Sequence, residues 1–372
     1  MRKKILQHGD LSVPVLKPGE SCEIPVPFKS FKEKAGQTYL LNVYAHETSG
    51  LPYAKPGFVC ARGQSIMGKM YHDETSGGKG TVTVKEENGH IHVCWDKGSA
   101  RVNGSTGYIT SYMPEGEEML KEPLIPYFWR PETDNDRRGW KSRRKCGIWM
   151  SLPEDLESRI ASTEVSCKST DSKVVINVRK TLQYKVRINI DYIFMPGGVA
   201  DISFRLETSD EVPEPLRIGM QTQIDRKYAD ICYFGRGPVE NYSDRKEGIM
   251  AGRYEGTPES LMTQYVYPQE NGNRCDVKWI MLTDKKGKGL YVEALGCPLS
   301  FSAWNVTGNA LQKAKHIGEA RPLKDSFVLN IDHAQIGVGG TDTWSSKAIA
   351  SDQYRLLSHE YTYRFTIRPV KR

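Results

Sequence analysis

Four irregular segments concentrate the residues able to do chemistry. They are Phe128-Trp129-Arg130-Pro131-Glu132-Thr133-Asp134-Asn135-Asp136, then residues 233–245, 267–275 and 330–345. Each sets carboxylates, amides, arginines and aromatic rings between glycines and prolines. Carboxylates and amides grip sugar hydroxyls, and aromatic faces stack on sugar C–H surfaces, so the shared chemistry points to carbohydrate. Glycoside hydrolysis needs two carboxylates flanking the scissile bond, about 5–5.5 Å apart for retention and wider for inversion. Asp134, Asp136, Glu240, Asp244, Glu270 and Asp342 are available, and their spacing selects no pair. In the second and third segments, Arg236, Glu240, Asp244 and Arg245 are expected to satisfy buried loop backbone and one another. Trp344 differs: it follows the turn Gly337-Val338-Gly339-Gly340, where an indole can stand exposed at low strain, and ligand contact is expected of it. That turn follows a strand but opens no helix, so it fails the context test for dinucleotide binding. No Gly-x-Ser-x-Gly or Walker-type sequence accompanies it.

The elements that must carry these loops read as strands, because apolar residues alternate with period two. Val174, Ile176 and Val178 alternate with mostly polar neighbours, and Leu182, Tyr184, Val186, Ile188, Ile190 and Tyr192 extend the pattern over eleven residues. Pro196-Gly197-Gly198 is a turn, with Ile202, Phe204 and Leu206 on the return strand. Val82 and Val84 lead into Asn88-Gly89, then Ile91, Val93 and Trp95, a hairpin signature since both turn residues tolerate positive φ. Tyr361, Tyr363, Phe365 and Ile367 close the chain on one face. Helices are few. Ser151 and Glu154 form a capping box ahead of Leu152, Leu156 and Ile160, and Thr257-Pro258-Glu259 and Asn309–His316 predict shorter turns. Strands are expected near Ile5–Leu11, Cys22–Phe28, Tyr39–Ala45 and Phe58–Ala61, about half of the seven that an immunoglobulin-like sandwich uses. With a boundary near residues 68–80, the expected division is 1–70 and 71–372, an all-β chain with a large antiparallel β-sandwich second.

Length and composition agree with two soluble domains: 372 residues, 38% apolar and 26% charged. No stretch of 18 apolar residues occurs, so no membrane span is expected. The start, Met1-Arg2-Lys3-Lys4, has no apolar run after it and does not read as a signal peptide. The net charge is +7, concentrated near Arg137, Arg138 and Lys141–Lys145; without a nucleic-acid motif this reads as a solvated or subunit-facing loop. Eight cysteines stand singly, with neither Cys-x-x-Cys nor paired histidine spacing, so no zinc site is expected, and buried free thiols fit better than disulfides.

Taken together and in order, the four segments resemble the C-terminal region of family 2 β-galactosidases. There the tail reads close to Trp-Arg-x-Pro-Thr-Asp-Asn-Asp, Gly-Arg-Gly-Pro-x-Glu-Asn-Tyr-x-Asp-Arg, Pro-x-Glu-Asn-Gly-x-Arg and Gly-x-Gly-Gly-x-Asp-Ser-Trp. The resemblance covers nearly the whole chain. It implies a galactose-mutarotase-like supersandwich from about residue 70 onward and the latter part of an immunoglobulin-like domain before it. It also implies that the catalytic glutamates and the magnesium ligands lie on an absent TIM barrel, fused or separate. No catalytic residue, metal ligand or cofactor is therefore assigned to this chain, which alone is expected to be inactive. The substrate-facing residues carried over are Trp344, which matches a tryptophan that stacks on substrate, and Asp134, Asn135 and Asp136, which match a segment beside the active-site mouth. Pro131-Glu132 departs from the family pattern by a shifted proline and an added charge, and Thr343 and Ser346 depart mildly.

The expected role is therefore the aglycone-side wall of a β-galactosidase acting on terminal galactosides such as lactose. Its expected partners are the barrel portion, the galactoside and further copies in an oligomer, with no nucleic acid and no membrane. The competing readings are a stand-alone carbohydrate-binding module and, on fold alone, an aldose epimerase, for which no His and Glu pair stands out.

Overall fold

The computed structural model describes residues 4–34, 37–67, 74–150 and 157–371. The chain first forms a two-stranded antiparallel hairpin, β1 (Tyr39–His46) with β2 (Val59–Met67). The expected strands at Ile5–Leu11 and Cys22–Phe28 are absent as ladders. The two stretches are tied instead by one side chain: the Gln7 amide donates to Lys29 O at 2.6 Å and accepts from Lys29 N at 2.7 Å. Alternation alone makes no strand when no neighbouring backbone offers a ladder.

Five strands then run as a meander, β3 (Val82–Glu87), β4 (His90–Trp95), β5 (Gly98–Asn103), β6 (Ile109–Met113) and β7 (Leu120–Tyr127), followed by a short helix α1 (Ser142–Cys146). A second meander follows in β8 (Ile160–Thr170), β9 (Lys173–Leu182), β10 (Arg187–Met195) and β11 (Val199–Glu207). The chain crosses back through β12 (Arg217–Asp225) and continues as β13 (Asp230–Arg236), β14 (Ala251–Gly256), helix α2 (Pro258–Leu261), β15 (Arg274–Val277), β16 (Trp279–Thr283), β17 (Lys288–Leu295) and β18 (Leu299–Trp304). Helix α3 (Gly308–Lys313), β19 (Ser326–Gln335) and β20 (Glu360–Lys371) complete it. Among the described residues these strands build two nine-stranded antiparallel sheets. One is ordered β14-β13-β16-β17-β20-β11-β10-β9-β8 and the other β15-β18-β19-β12-β7-β6-β5-β4-β3.

The two sheets enclose one apolar core. Val174, Ile176, Val178, Ile188, Ile190 and Ile202 are fully buried on one wall, and Val93, Ile109, Ile218, Met220 and Leu329 on the other. Aromatic rings bridge them: Phe128 lies 6.2 Å from Phe204, which lies 5.5 Å from Tyr363. The Tyr363 hydroxyl then donates across the core to Ile331 O at 3.1 Å. Burying such side chains stabilises by ~1.5–3 kcal/mol each before the entropy of ordering is charged against it.

Several local expectations meet the structure directly. Asn88 and Gly89 turn between β3 and β4 at φ 50° and 73°, and Thr257 caps α2 through a capping box with Ser260. The long run from Leu182 to Tyr192 is corrected to two strands. It breaks at Tyr184 and Lys185, both at φ 59°, leaving Tyr184 half exposed. The expected capping box at Ser151 and Glu154 lies outside the described residues, and Ile160 opens β8 rather than lining a helix. In the glycine run expected as a boundary, Gly78 N donates to Pro196 O at 2.7 Å, so this stretch rests on the turn after β10. The hairpin β1–β2 also meets the sheet that β14 ends. The Gln64 amide donates to Ala251 O and accepts from Ala251 N, both at 2.8 Å, on the outer edge of β14.

A Cβ at Gly89 would meet open space, so Gly89→Ala tests the turn conformation alone. We expect it to cost ~1–2 kcal/mol, the strain of an L-residue in the left-handed region, as a lower urea midpoint with unchanged slope. A loss under ~0.5 kcal/mol, the scatter of neutral surface changes, would contradict this.

Candidate functional site

The four irregular segments are bonded into one cluster. The register explains the convergence: β7 ends at Tyr127 beside Gly219 of β12, and β12 begins opposite the end of β19, with Arg217 facing Gln335. Arg130 links the first segment to the fourth. Its guanidinium grips Asp136 through two 2.9 Å bonds and donates onward to Ile336 O at 2.7 Å and Gly337 O at 3.1 Å. Asp136 also accepts from Thr133 N and the Trp140 indole, and it is 1% exposed. Asp136, expected on the substrate side, thus has its carboxylate committed to partners inside the protein. Asp134 and Asn135 are half-buried at the surface, and the chain after Asp134 makes one wide helical turn, Asn135–Gly139.

The second and third segments lock onto each other. Asn241 N donates to Asn273 O and the Asn273 amide donates to Asn241 O, both at 2.8 Å. Glu240 accepts from Gly272 N at 2.7 Å, from Tyr265 and from Arg245. Burial pushes the Glu240 carboxyl up, but these donors together hold it below the usual carboxylate range. Asp244 reaches the fourth segment and accepts from Gly339 N at 2.7 Å. The expectation that Arg236, Glu240, Asp244 and Arg245 serve loop backbone and one another thus holds, with Arg236 paired to Asp276 and donating to Ile249 O.

Beneath the loops lies a buried charge cluster. Arg217 on β12 reaches Glu270 at 3.0 Å and Asp332 at 3.5 Å, and all three side chains have no exposure. Its guanidinium lies 5.2 Å from the centre of the Tyr127 ring and 5.3 Å from that of Trp304. Burial lifts the Glu270 carboxyl against the pull of Arg217 and Arg130. Burial lifts Asp332 to about 7, with Arg217 opposing and Glu270 reinforcing the rise. Two carboxylates around Arg217 in a dry site favour retention of a proton between them. Arg217 was not legible as a site residue. Its only signal is an arginine inside the apolar stretch Leu216-Arg217-Ile218-Gly219-Met220, all of it buried.

Over this base the fourth segment presents Trp344. Asp342 accepts from Trp344 N at 3.1 Å, Ser345 N at 2.9 Å and the Ser345 hydroxyl at 2.6 Å, and those bonds hold its carboxyl below the usual range. The turn projects the Trp344 indole outward at 77% exposure. Glu132, the added charge of the first segment, is also accommodated: Ser142 donates to it at 2.8 Å and Gln312 at 3.0 Å. The basic residues flank this end, with Arg137 over the Tyr267 ring at 4.1 Å and Arg143 3.4 Å from Glu132.

The arrangement can offer a flat aromatic face to a ligand. Asp136, Glu240, Asp244, Glu270 and Asp342 each accept hydrogen bonds or ion pairs from internal partners. Among the described residues, no group of three or more His, Cys, Asp or Glu side chains stands close enough to hold a metal.

Comparison with known families decides the affiliation. The family model described as β-galactosidase small chain matches residues 96–367. The chain belongs to the β-galactosidase small-chain family. A second model, β-galactosidase domain 4, matches residues 2–67. A β-galactosidase of Priestia megaterium is 27% identical over 342 residues, covering 91% of this chain and 32% of that protein. One from Vibrio cholerae is 30% identical, covering 72% of this chain and 26% of that protein. The chain thus spans about a third of the curated relatives it matches, as a small-chain or C-terminal portion. Those matches do not favour a free-standing binding module or an epimerase. Among solved structures, a putative aldose 1-epimerase from Escherichia coli K12 aligns with 13% identity and TM-score 0.41, covering 78% of this chain and 100% of that one. A galactose 1-epimerase from Lactobacillus acidophilus aligns with 8% identity and TM-score 0.40, covering 79% and 99%.

Proposed function

We propose that this chain forms one wall of the galactoside cleft of a β-galactosidase, with Trp344 stacking on the sugar and with the bond-breaking carboxylates and magnesium on a portion outside this chain. The observation that carries the reading is the exposed Trp344, held on a loop that Arg130 of the first segment and Asp244 of the second brace, with Asp136, Glu240 and Asp342 nearby engaged by internal donors. Asp134 and Asn135 border the same mouth. The first 67 residues support an adjoining portion as well. Val15 is 99% exposed, Tyr53 83% and Ile5 69%, apolar side chains that folding of this chain leaves uncovered and that the rest of the enzyme would bury. In this reading the assembly joins this chain to a barrel portion, fused or separate, and works on terminal galactosides such as lactose.

The test is a chromogenic galactoside assay on the chain alone and on the complete enzyme. The chain alone is expected to be inert. In the complete enzyme, Trp344→Ala is expected to raise KM about tenfold, the equivalent of ~1.4 kcal/mol of lost contact. The same change should leave the urea midpoint of the chain within ~0.5 kcal/mol of the parent, since the side chain is exposed. Turnover by the isolated chain, or an unchanged KM, would sink the reading.

A further inference from the structure

Asn135 lies where the first segment touches the loop that carries Trp344, and its side-chain amide is used on both stems of that loop. Nδ2 donates to Asp342 O at 3.3 Å and to Ala348 O at 2.9 Å. Trp344 lies between those two carbonyls in sequence, and the stems are joined again by Thr341 N donating to Lys347 O at 2.9 Å. One turn further along the first segment, Gly139 sits against the same loop. A Cβ there would come within 2.1 Å of the Ala348 Cβ and 3.3 Å of both Thr343 O and Ser345 O. The two segments are therefore closer at Gly139 than any side chain allows, and bonded at Asn135.

We infer that Asn135 and Gly139 are positioning residues for Trp344, fixing the direction in which its ring faces the sugar. This rests on the proposed stacking role of Trp344. It also changes the part expected of Asn135: its amide nitrogen holds the neighbouring loop rather than the ligand. The alternative, that Asn135 merely stabilises the fold, fits its position less well. It is half-buried, its two bonds go only to this loop, and Arg130 and Asp244 already secure the loop's entry at Ile336, Gly337 and Gly339. A neighbouring donor of this kind orients a side chain that meets the ligand, and a displacement near 1 Å is enough to cost much of the effect.

The chain offers its own reporter. The sequence has seven tryptophans, and the other six, Trp95, Trp129, Trp140, Trp149, Trp279 and Trp304, are at most 7% exposed against 77% for Trp344. Iodide quenching and anisotropy decay of the full chain, with Trp344→Phe as blank, therefore read Trp344. Asn135→Asp replaces the donor by a carboxylate facing two carbonyls, and Gly139→Ala wedges the segments apart by a different route. Both variants are expected to give Trp344 a faster anisotropy decay, and both should raise KM three- to tenfold with kcat changed less than twofold. Asn135→Asp should keep the parent's unfolding midpoint; a lower midpoint with an unchanged Trp344 signal would mark a merely structural residue and overturn the inference. It is overturned too if the Trp344 signal shifts and KM does not, in an enzyme where Trp344→Ala raises KM. If Trp344→Ala itself leaves KM unchanged, the stacking reading fails and the positioning of the ring toward sugar falls with it.

Discussion

Arg217→Met is expected to destabilise the chain by ~3–5 kcal/mol, the cost of leaving buried charge uncompensated. Arg217 is the cation between Glu270 and Asp332, all three without exposure. Methionine keeps an apolar stem between the Tyr127 and Trp304 rings, so packing is disturbed less than charge. Glu270 would retain its contacts to Tyr242 and Gln335, each at 3.4 Å, and the weaker pull of Arg130. The measurement is a urea transition at neutral pH. Adding Glu270→Gln and Asp332→Asn to Arg217→Met should recover much of the loss, because a cluster neutralised throughout has no orphan charge. A single-variant loss below ~1 kcal/mol would contradict the account, since that is what an ordinary exposed substitution costs.

The second large effect is a stability that falls as pH rises from about 4 to 7. Burial first, and Glu270 next, hold the Asp332 carboxyl at about 7 in the folded chain despite Arg217, against an ordinary 3.8. Between those values the folded state keeps a proton that the unfolded state releases. The folded state binds more protons, so the slope of unfolding free energy with pH is negative there and vanishes above 7. Carboxylates held below their usual range, Glu240 and Asp276 among them, act oppositely and lose their contribution as pH falls toward and below 4. The comparison is therefore between parent and Asp332→Asn. The variant should lose the share of the decline between pH 4 and 7 that Asp332 carries, leaving that of the raised Glu270 carboxyl, and differ from the parent by a constant amount above pH 7. Parallel curves across that window would show that Asp332 does not carry the proton.

Much of the architecture was readable in the sequence because strand alternation is local. Val174, Ile176 and Val178 face inward, and so do Tyr363, Phe365 and Ile367, as their spacing requires. The break at Tyr184 and Lys185 was hidden for a geometric reason. Leu182 and Val186 are an even number of residues apart, so the turn preserves the inward phase and two strands read as one. Ile5–Leu11 shows the opposite failure, since a pattern cannot reveal that the ladder partner is missing. At the site, the exposed Trp344 follows from its glycine-rich turn. Asp136 does not follow from its neighbours. An acid in a polar loop and an acid sealed against Arg130 look alike until the loop's long-range contact with Ile336 and Gly337 is known. Arg217 was hidden in a strand, where the pattern reports only which face a residue takes.

The Gln64 amide on Ala251 bears on what the edge of this sheet offers to another backbone. β14 is the terminal strand of its sheet, and a bare rim of peptide groups is a template on which another chain can grow a ladder. By donating to Ala251 O and accepting from Ala251 N, Gln64 fills one rung of that rim with a side chain that offers no continuing backbone. A self-association seam along β14 is thereby interrupted at its first residue, and the lock comes from the hairpin that precedes the sandwich rather than from the sandwich itself.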